Sequence, residues 1–452
     1  MRKTVMTLAA LAVTVTAGAE GYQINTLSAK QLGMGHAGVA MHLGAESMYF
    51  NPAGLGFMDD KLDLSASVAG IMPHVTATLP DGREFSNVSD VSTPLAVSAA
   101  FSIYDNFKAG VSVYTPYGSA IDWTNNWPGA VLNQKVKLAT YTIQPTFSWR
   151  PLHNLSVGAG VMVTWGNVDL NKGLVSPETA DKVQAVQAAM QGRPTPEPFG
   201  STVPASVNLK GTAKIAVGAN VGVMWDIDDR WTAGASFRTE MPMKVEAGDA
   251  SVTYANEAAK QLLSALDVLN STNFEARMPC PWVLSFGLSY KPIKNLTLAT
   301  DARLTGWNSY KTLDIEFLDE QCSAYNQHIA KNYKNAWAVS LGAQYGLTER
   351  FDLRAGLMID TTPVNKDFYN PETPGMTKIE PTVGLSFRPI DGFSIDFAFM
   401  YIAGVGLDNA SCTYPDLLAA KFPALGLPVE KTFTADYRLH AFSPSIGVSY
   451  KF

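Results

Sequence analysis

Charge is scarce in this chain of 452 residues. Asp, Glu, Lys and Arg together make up 16% of it, below the roughly 25% usual in soluble globular chains. The formal net charge is only -6, which excludes the strongly basic face that a nucleic-acid binder needs. Cysteine is scarcer still. Cys280, Cys322 and Cys412 are odd in number and lack the close spacing of a zinc or redox site. They read as wall or loop residues, with a Cys322 to Cys412 disulfide as the alternative in an exported chain. Beyond the first twenty residues no stretch reaches the roughly 20 apolar residues of a membrane-spanning helix. There is no G-x-S-x-G, no H-E-x-x-H and no close carboxylate pair with a partnered histidine. No catalytic residue, metal or cofactor is therefore expected.

The first segment is a leader. Arg2 and Lys3 precede the apolar run from Val5 to Val15, and Ala17-Gly18-Ala19 forms a small-residue cleavage site before Glu20. Residues 1–19 are expected to be removed on export. No cysteine follows the cleavage site, so lipid attachment there is not expected.

What the chain has in abundance is alternation. From Asp60 onward, residues switch character in steps of two, the period of a strand with two unlike faces. Leu155, Val157, Ala159, Val161, Val163 and Trp165 share one face, and Ser156, Gly158, Gly160, Met162 and Thr164 share the other. A soluble sandwich would carry charge on its polar side. Small residues opposite an apolar face instead suit a barrel with lipid outside and a lumen inside.

Strands are predicted over 60–74, 91–104, 106–117, 137–150, 153–170, 208–226, 229–248, 274–291, 294–318, 333–346, 349–361, 378–389, 392–407 and 437–452. Short and long connections alternate between them, as periplasmic turns and outer loops do in such barrels. Each even strand reaches the short-turn side at an aromatic residue: Tyr104, Trp149, Trp225, Tyr290, Tyr345, Phe387 and Tyr450. All but Tyr104 share the apolar parity, which predicts an aromatic girdle at the inner interface. The chain ends in Phe452, like the assembly signal of bacterial outer-membrane barrels, and this implies the barrel assembly machinery and outer-membrane lipid as partners. The fold expected is all-β, a fourteen-stranded antiparallel transmembrane barrel over 60–452.

Residues 20–59 have no place in that wall and are expected to form a hatch inside it. Gly33-Met34-Gly35-His36-Ala37-Gly38 fits G-x-G-x-x-G, but follows a leader rather than a strand, so the dinucleotide reading fails on context. Asn51-Pro52-Ala53-Gly54 reads as a turn and is expected to meet the third strand. In that strand Pro116-Tyr117-Gly118 is a candidate distortion, since proline cannot complete a ladder and glycine weakens one. Two outer loops show helical spacing, through Val183, Val186 and Met190 and through Leu262, Leu263 and Leu266. They either pack on the rim or, with Trp123 and Trp127 beside them, form a landing surface for an apolar ligand.

Several phrases together carry a family resemblance. They are Gly21-Tyr22-Gln23-Ile24-Asn25, the Asn51 to Gly54 turn, Leu155-Ser156-Val157-Gly158-Ala159-Gly160, Thr305-Gly306-Trp307-Asn308-Ser309-Tyr310, Tyr333-Lys334-Asn335-Ala336-Trp337 and Asp360-Thr361-Thr362-Pro363-Val364. In order and spacing the mature chain resembles the FadL family of outer-membrane transporters for hydrophobic compounds. That resemblance implies a hatch-plugged barrel that passively transports apolar small molecules such as long-chain fatty acids. Capture at outer loops would be followed by hatch rearrangement and sideways release near a distorted third strand. Fatty-acid members are expected to hold the carboxylate with basic residues in the upper fifth and ninth strands. This chain has Asn167 or Asp169 and Asp314 there, with Lys172 or Lys311 as substitutes, so the carboxylate clamp is the point of departure. The alternatives are a pore for polar solutes, a barrel-borne hydrolase and a surface adhesin.

Overall fold

The computed structural model describes residues 21–88, 91–264 and 272–452; the segment expected to be a leader and Leu266 lie outside them. Along the described chain the wall is built from β1 (Leu62–Ala69, resuming as Met72–Thr78), β2 (Glu84–Ser86 and Leu95–Tyr104), β3 (Phe107–Tyr114 and Gly118–Asp122), β4 (Lys135–Leu152) and β5 (Leu155–Gly173). It continues through β6 (Ala205–Asp226), β7 (Trp231–Arg238 and Met241–Tyr254), β8 (Thr272–Cys280 and Val283–Ile293), β9 (Leu296–Thr305 and Thr312–Phe317) and β10 (Gln327–Ala330 and Ala336–Gly346). The last four are β11 (Phe351–Asp360), β12 (Lys378–Phe387), β13 (Phe393–Gly404 and Leu407–Pro415) and β14 (Glu430–Lys451). Each pairs antiparallel with its neighbours, and β1 closes on β14 with Asp63 opposite Lys451. Closure matters because lipid offers no partner to an open sheet edge.

The alternation sorts as the sequence predicts. Ser156, Met162 and Thr164 are buried toward the lumen, while Val157, Val161, Trp225, Leu341 and Phe397 stand exposed on the outside. In water such a surface would aggregate; in a bilayer it is the solvated face. Tyr104 departs from parity for a local reason. The register with β3 shifts between Ser102 and Tyr104, a bulge that turns the ring outward to 71% exposure.

The strands run further outward than predicted. Tyr141 and Trp165 stack at 5.9 Å, and beyond them Lys137, Asp169, Lys210 and Asp249 are aligned across β4 to β7. Above the lipid both faces of a strand meet polar surroundings, so the apolar period stops while the ladder continues. For the same reason β14 begins at Glu430, and the loop predicted over 75–90 holds the ends of β1 and β2. All three cysteines are buried thiols and no disulfide forms.

Inside the inner half lies the hatch, a chain of short turns: the helix α1 (Ala29–Leu32), then α2 (Ser47–Phe50), then a 3-10 turn over Pro52–Phe57. Ser28 and Asn51 cap two of these by accepting from Gln31 N and Ala53 N. The 3-10 turn that opens at Asn51-Pro52 touches the third strand over Phe107–Tyr114 but not the break beyond Tyr114. It seats on β4 to β6, where Ser148 Oγ donates to Ala53 O and Asn51 Nδ2 donates to Val223 O at 3.0 Å. The seat requires bare backbone. A Cβ at Gly158 would collide with the Pro52 carbonyl, and one at Gly222 with the Asn51 side chain; these two glycines face each other in register.

Gly158→Leu is expected to unseat the 51–54 turn and leave the wall closed. Heat-modifiable electrophoretic mobility would persist while protease begins to cut between residues 21 and 57. A hatch as protected as before would show that the close approach is not needed.

Candidate functional site

Proline at 116 denies the third strand a backbone donor, and the strand breaks between Tyr114 and Gly118. On its β2 side the wall is interrupted as well: β2 stops at Ser86 and resumes at Leu95, and β1 beyond it pauses at Gly70 and Ile71, where Ile71 is tied across by an isolated bridge to Ser92; β4 on the other side runs unbroken. The hatch repairs the break. Ile24 N donates to Pro116 O at 2.8 Å, Gly118 N donates to Tyr22 O at 2.9 Å, and Gln23 bridges Tyr117. Tyr22 is further held by its hydroxyl, which donates to Pro279 O, and by Trp307, whose ring centroid is 4.7 Å away.

A cavity of about 1160 Å³ adjoins this repair. Gln23, His36 and Met400 line it from the lumen, Pro73 and Tyr117 from the break, and Lys137 and Tyr141 from the outer face of β4. It therefore runs through the wall at the interrupted strand. Beside it, and sharing Tyr22, Leu138, Val168 and Thr373 among its lining residues, lies a narrow apolar pocket of about 70 Å³, walled also by Leu170, Met243, Phe274 and Ile315. Its lining also includes Glu372, on the loop after β11.

Glu372 forms a buried ion pair with Lys331, whose ammonium lies 6.0 Å from the centre of the Tyr310 ring. Lys172 is also buried, at 8% exposure, and donates to Gln327 Oε1 at 2.7 Å. Two cations thus face one carboxylate beside a greasy slot. On the same loop, burial pushes the Tyr369 hydroxyl well above its usual range, so it stays neutral.

The structure separates the predicted residues. Lys172 shares the inward parity of Val168 and Leu170, whereas Asn167 points out of the wall and accepts from Thr212. Asp314 is also turned outward, hydrogen-bonded to His328 at 2.8 Å, because Leu313 and Ile315 take the buried face. Lys311 is exposed at the break in β9. The assignment of Asn167, Asp314 and Lys311 to the lumen is corrected accordingly, since one step along a strand reverses its face. Lys331 and Glu372 were missed, because their pairing joins two loop-end residues that no local pattern connects.

The outer loops fold partly as predicted, with helices at Pro177–Met190 and Glu257–Ser264. Val186 and Met190 are exposed, whereas Val183 and Leu263 are buried and Leu262 is half-buried. Trp123 and Trp127 are not a landing surface. They stack at 4.6 Å within the cap, 1% and 2% exposed. Their indole N–H groups donate to Pro371 O and Asn133 O, the polar partners that buried indoles require.

Residues 10–452 match the family model described as outer membrane protein transport protein (OMPP1/FadL/TodX). The chain belongs to this family. Its transporters include a long-chain fatty acid transport protein of Escherichia coli, 23% identical over 89% of this chain and 92% of that one. A putative outer membrane protein of Neisseria meningitidis is 25% identical over 89% and 90%. Among solved structures, a Pseudomonas aeruginosa FadL homologue superposes with a TM-score of 0.76 at 19% identity, covering 96% of this chain and 100% of that one. The Ralstonia pickettii toluene transporter TbuX gives 0.67 at 16%, covering 95% and 99%. The protein is thus a multi-pass outer-membrane barrel of a family that transports hydrophobic compounds.

The tryptophan stack is expected to hold the cap in place. Trp123→Ala should cost about 3–5 kcal/mol locally and speed amide exchange over 122–134 and 361–377, leaving the β11 to β14 ladder slow. Unchanged exchange in those loops would show that the stack does not carry the cap.

Proposed function

We propose that the protein passively carries long-chain monocarboxylates from the cell surface into the outer membrane, with the Tyr22 to Ile24 segment as its gate. The observation that carries this reading is the repair of β3 by the hatch. A wall break sealed by hydrogen bonds from a separate segment can open without disturbing the rest of the ladder. An apolar tail settles in the slot beside Phe274 and Ile315, and its carboxylate meets Lys172, the cation left over once Lys331 has paired with Glu372. Withdrawal of Tyr22 joins the slot to the wide cavity, which they border in common. The tail then leaves through the wall into lipid and never crosses periplasmic water, which would be costly for its apolar surface. Val186 and Met190 supply the exposed part of the landing surface.

The gate is tested with Gln23→Cys combined with Tyr117→Cys. Paired residues across an antiparallel bridge lie about 4.5–5.5 Å apart at Cα, within disulfide reach. Oxidation should stop uptake of a labelled fatty acid and a reductant should restore it. Full uptake with the crosslink formed would end the proposal of exit at this break.

The clamp has its own test. A charge-assisted hydrogen bond is worth about 1.5–3 kcal/mol, so Lys172→Met should weaken binding of a long-chain carboxylate by roughly 10- to 100-fold. The methyl ester of the same chain should bind as before. Equal loss for both would mean that Lys172 shapes the pocket without reading the carboxylate.

A further inference from the structure

Two imidazoles stand together on the outer face of the wall, where the transport route makes no use of them. His74 of β1 and His440 of β14 are directly opposed in the register, and their ring centroids are 4.8 Å apart with planes inclined at 45°. Both face outward, because their strand neighbours Val75 and Ala441 are buried at 0% and 2% exposure. One step toward the bilayer on that face, Met72 opposes Phe442, whose ring lies 5.4 Å from that of Tyr401. These aromatics mark the outer interface, so the histidines sit just above the lipid. One step further out, Arg438 is engaged by Asp408.

Other histidines have different surroundings. His36 is buried against Met400 Sδ at 3.3 Å, His42 meets Asp226, and His328 meets Asp314. Among the described residues, His74 and His440 are the pair of histidines whose rings approach each other. Imidazole nitrogen suits copper, zinc and nickel at bond lengths of about 2.0–2.1 Å. Two nitrogens on one such ion are separated by roughly 3 Å, which these rings reach by rotation about χ2, a broad torsion in histidine. With no third histidine, cysteine or carboxylate grouped there among the described residues, water fills the remaining positions.

We propose that His74 and His440 form a two-imidazole site for a divalent transition-metal ion, Cu²⁺ foremost by the general affinity order. The bound ion staples the first strand to the last. The reverse face of this seam carries Pro73, Val75 and Leu439, which line the wide cavity, so the staple stiffens the wall beside the proposed exit.

The test uses the full barrel purified in detergent and titrated with Cu²⁺ by calorimetry and electron paramagnetic resonance. One ion per chain with two-nitrogen coordination is expected. Loss of an outer-shell partner already costs about 10–100-fold in affinity, so His74→Ala and His440→Ala should each weaken binding by at least that factor. His328→Ala should leave it unchanged. Heat-modifiable mobility confirms that every variant is a closed barrel. Binding that survives in the combined His74→Ala and His440→Ala variant, or no binding in the native protein, overturns the site.

Discussion

An irregular backbone inside a barrel has to find a partner for every N–H and C=O it buries, and the arrangement of this protein follows from how that demand is met. The hatch has few internal ladders, so the wall serves it with side chains. Asp301 accepts from Gly38 N and Val39 N at 2.7 and 3.0 Å. Gln144 and Asn220 both donate to Met48 O, Ser236 donates to Phe50 O, and Thr382 accepts from Gly35 N. The small polar residues of the lumen face are therefore the hatch's hydrogen-bonding environment, and glycines such as Gly158 bring the two backbones close enough to use it. The Tyr22 to Ile24 segment is held differently, by backbone pairing with a broken strand. Opening that part of the hatch would free backbone groups of a strand that is already interrupted, together with the Tyr22 hydroxyl and its Pro279 carbonyl partner.

The interior is divided by chemistry as well as by height. Below, amides and hydroxyls grip the hatch; above, Trp123, Trp127, Leu174 and Val183 join an apolar cap. The apolar slot lies where the two meet, which places Tyr22, a residue with an apolar ring and a polar tip, at the boundary. Lys172, Lys331 and Glu372 introduce charge into the apolar side. A buried pair of this kind is poor evidence for stability, which is why the proposed function gives these charges a part in reading the carboxylate.

Much of the wall was legible because the bilayer imposes a period of two on every strand that crosses it. The short turns, the lipid face and the inner aromatic ring could all be read from that period. Legibility ended where the bilayer ends. Above the Tyr141–Trp165 level the alternation loses its contrast, and Asn167 and Asp314 were assigned to the lumen from the family resemblance although their neighbours occupy it. Trp123 and Trp127 were misplaced for a related reason. Local sequence identifies an aromatic pair but not the loop after β11 that covers it, some 240 residues away. Pro116 was readable as a break, since proline acts locally, whereas the hatch segment that fills the break was not.

The glycine seat and its side-chain partners also constrain the order in which this chain can fold. The hatch leaves the ribosome first, yet the groups that satisfy it, from Gln144 to Thr382, follow it by roughly 100 to 350 residues. Contacts of such separation form late, because the intervening chain must first be ordered. A hatch without its wall would lack the side-chain partners of its peptide groups and the lumen surface against which Leu32, Met48, Leu55 and Phe57 are buried. It must therefore travel to the membrane as open chain and be captured as the strands assemble around it. The pairing of β1 with β14 completes both the barrel and the enclosure of the hatch.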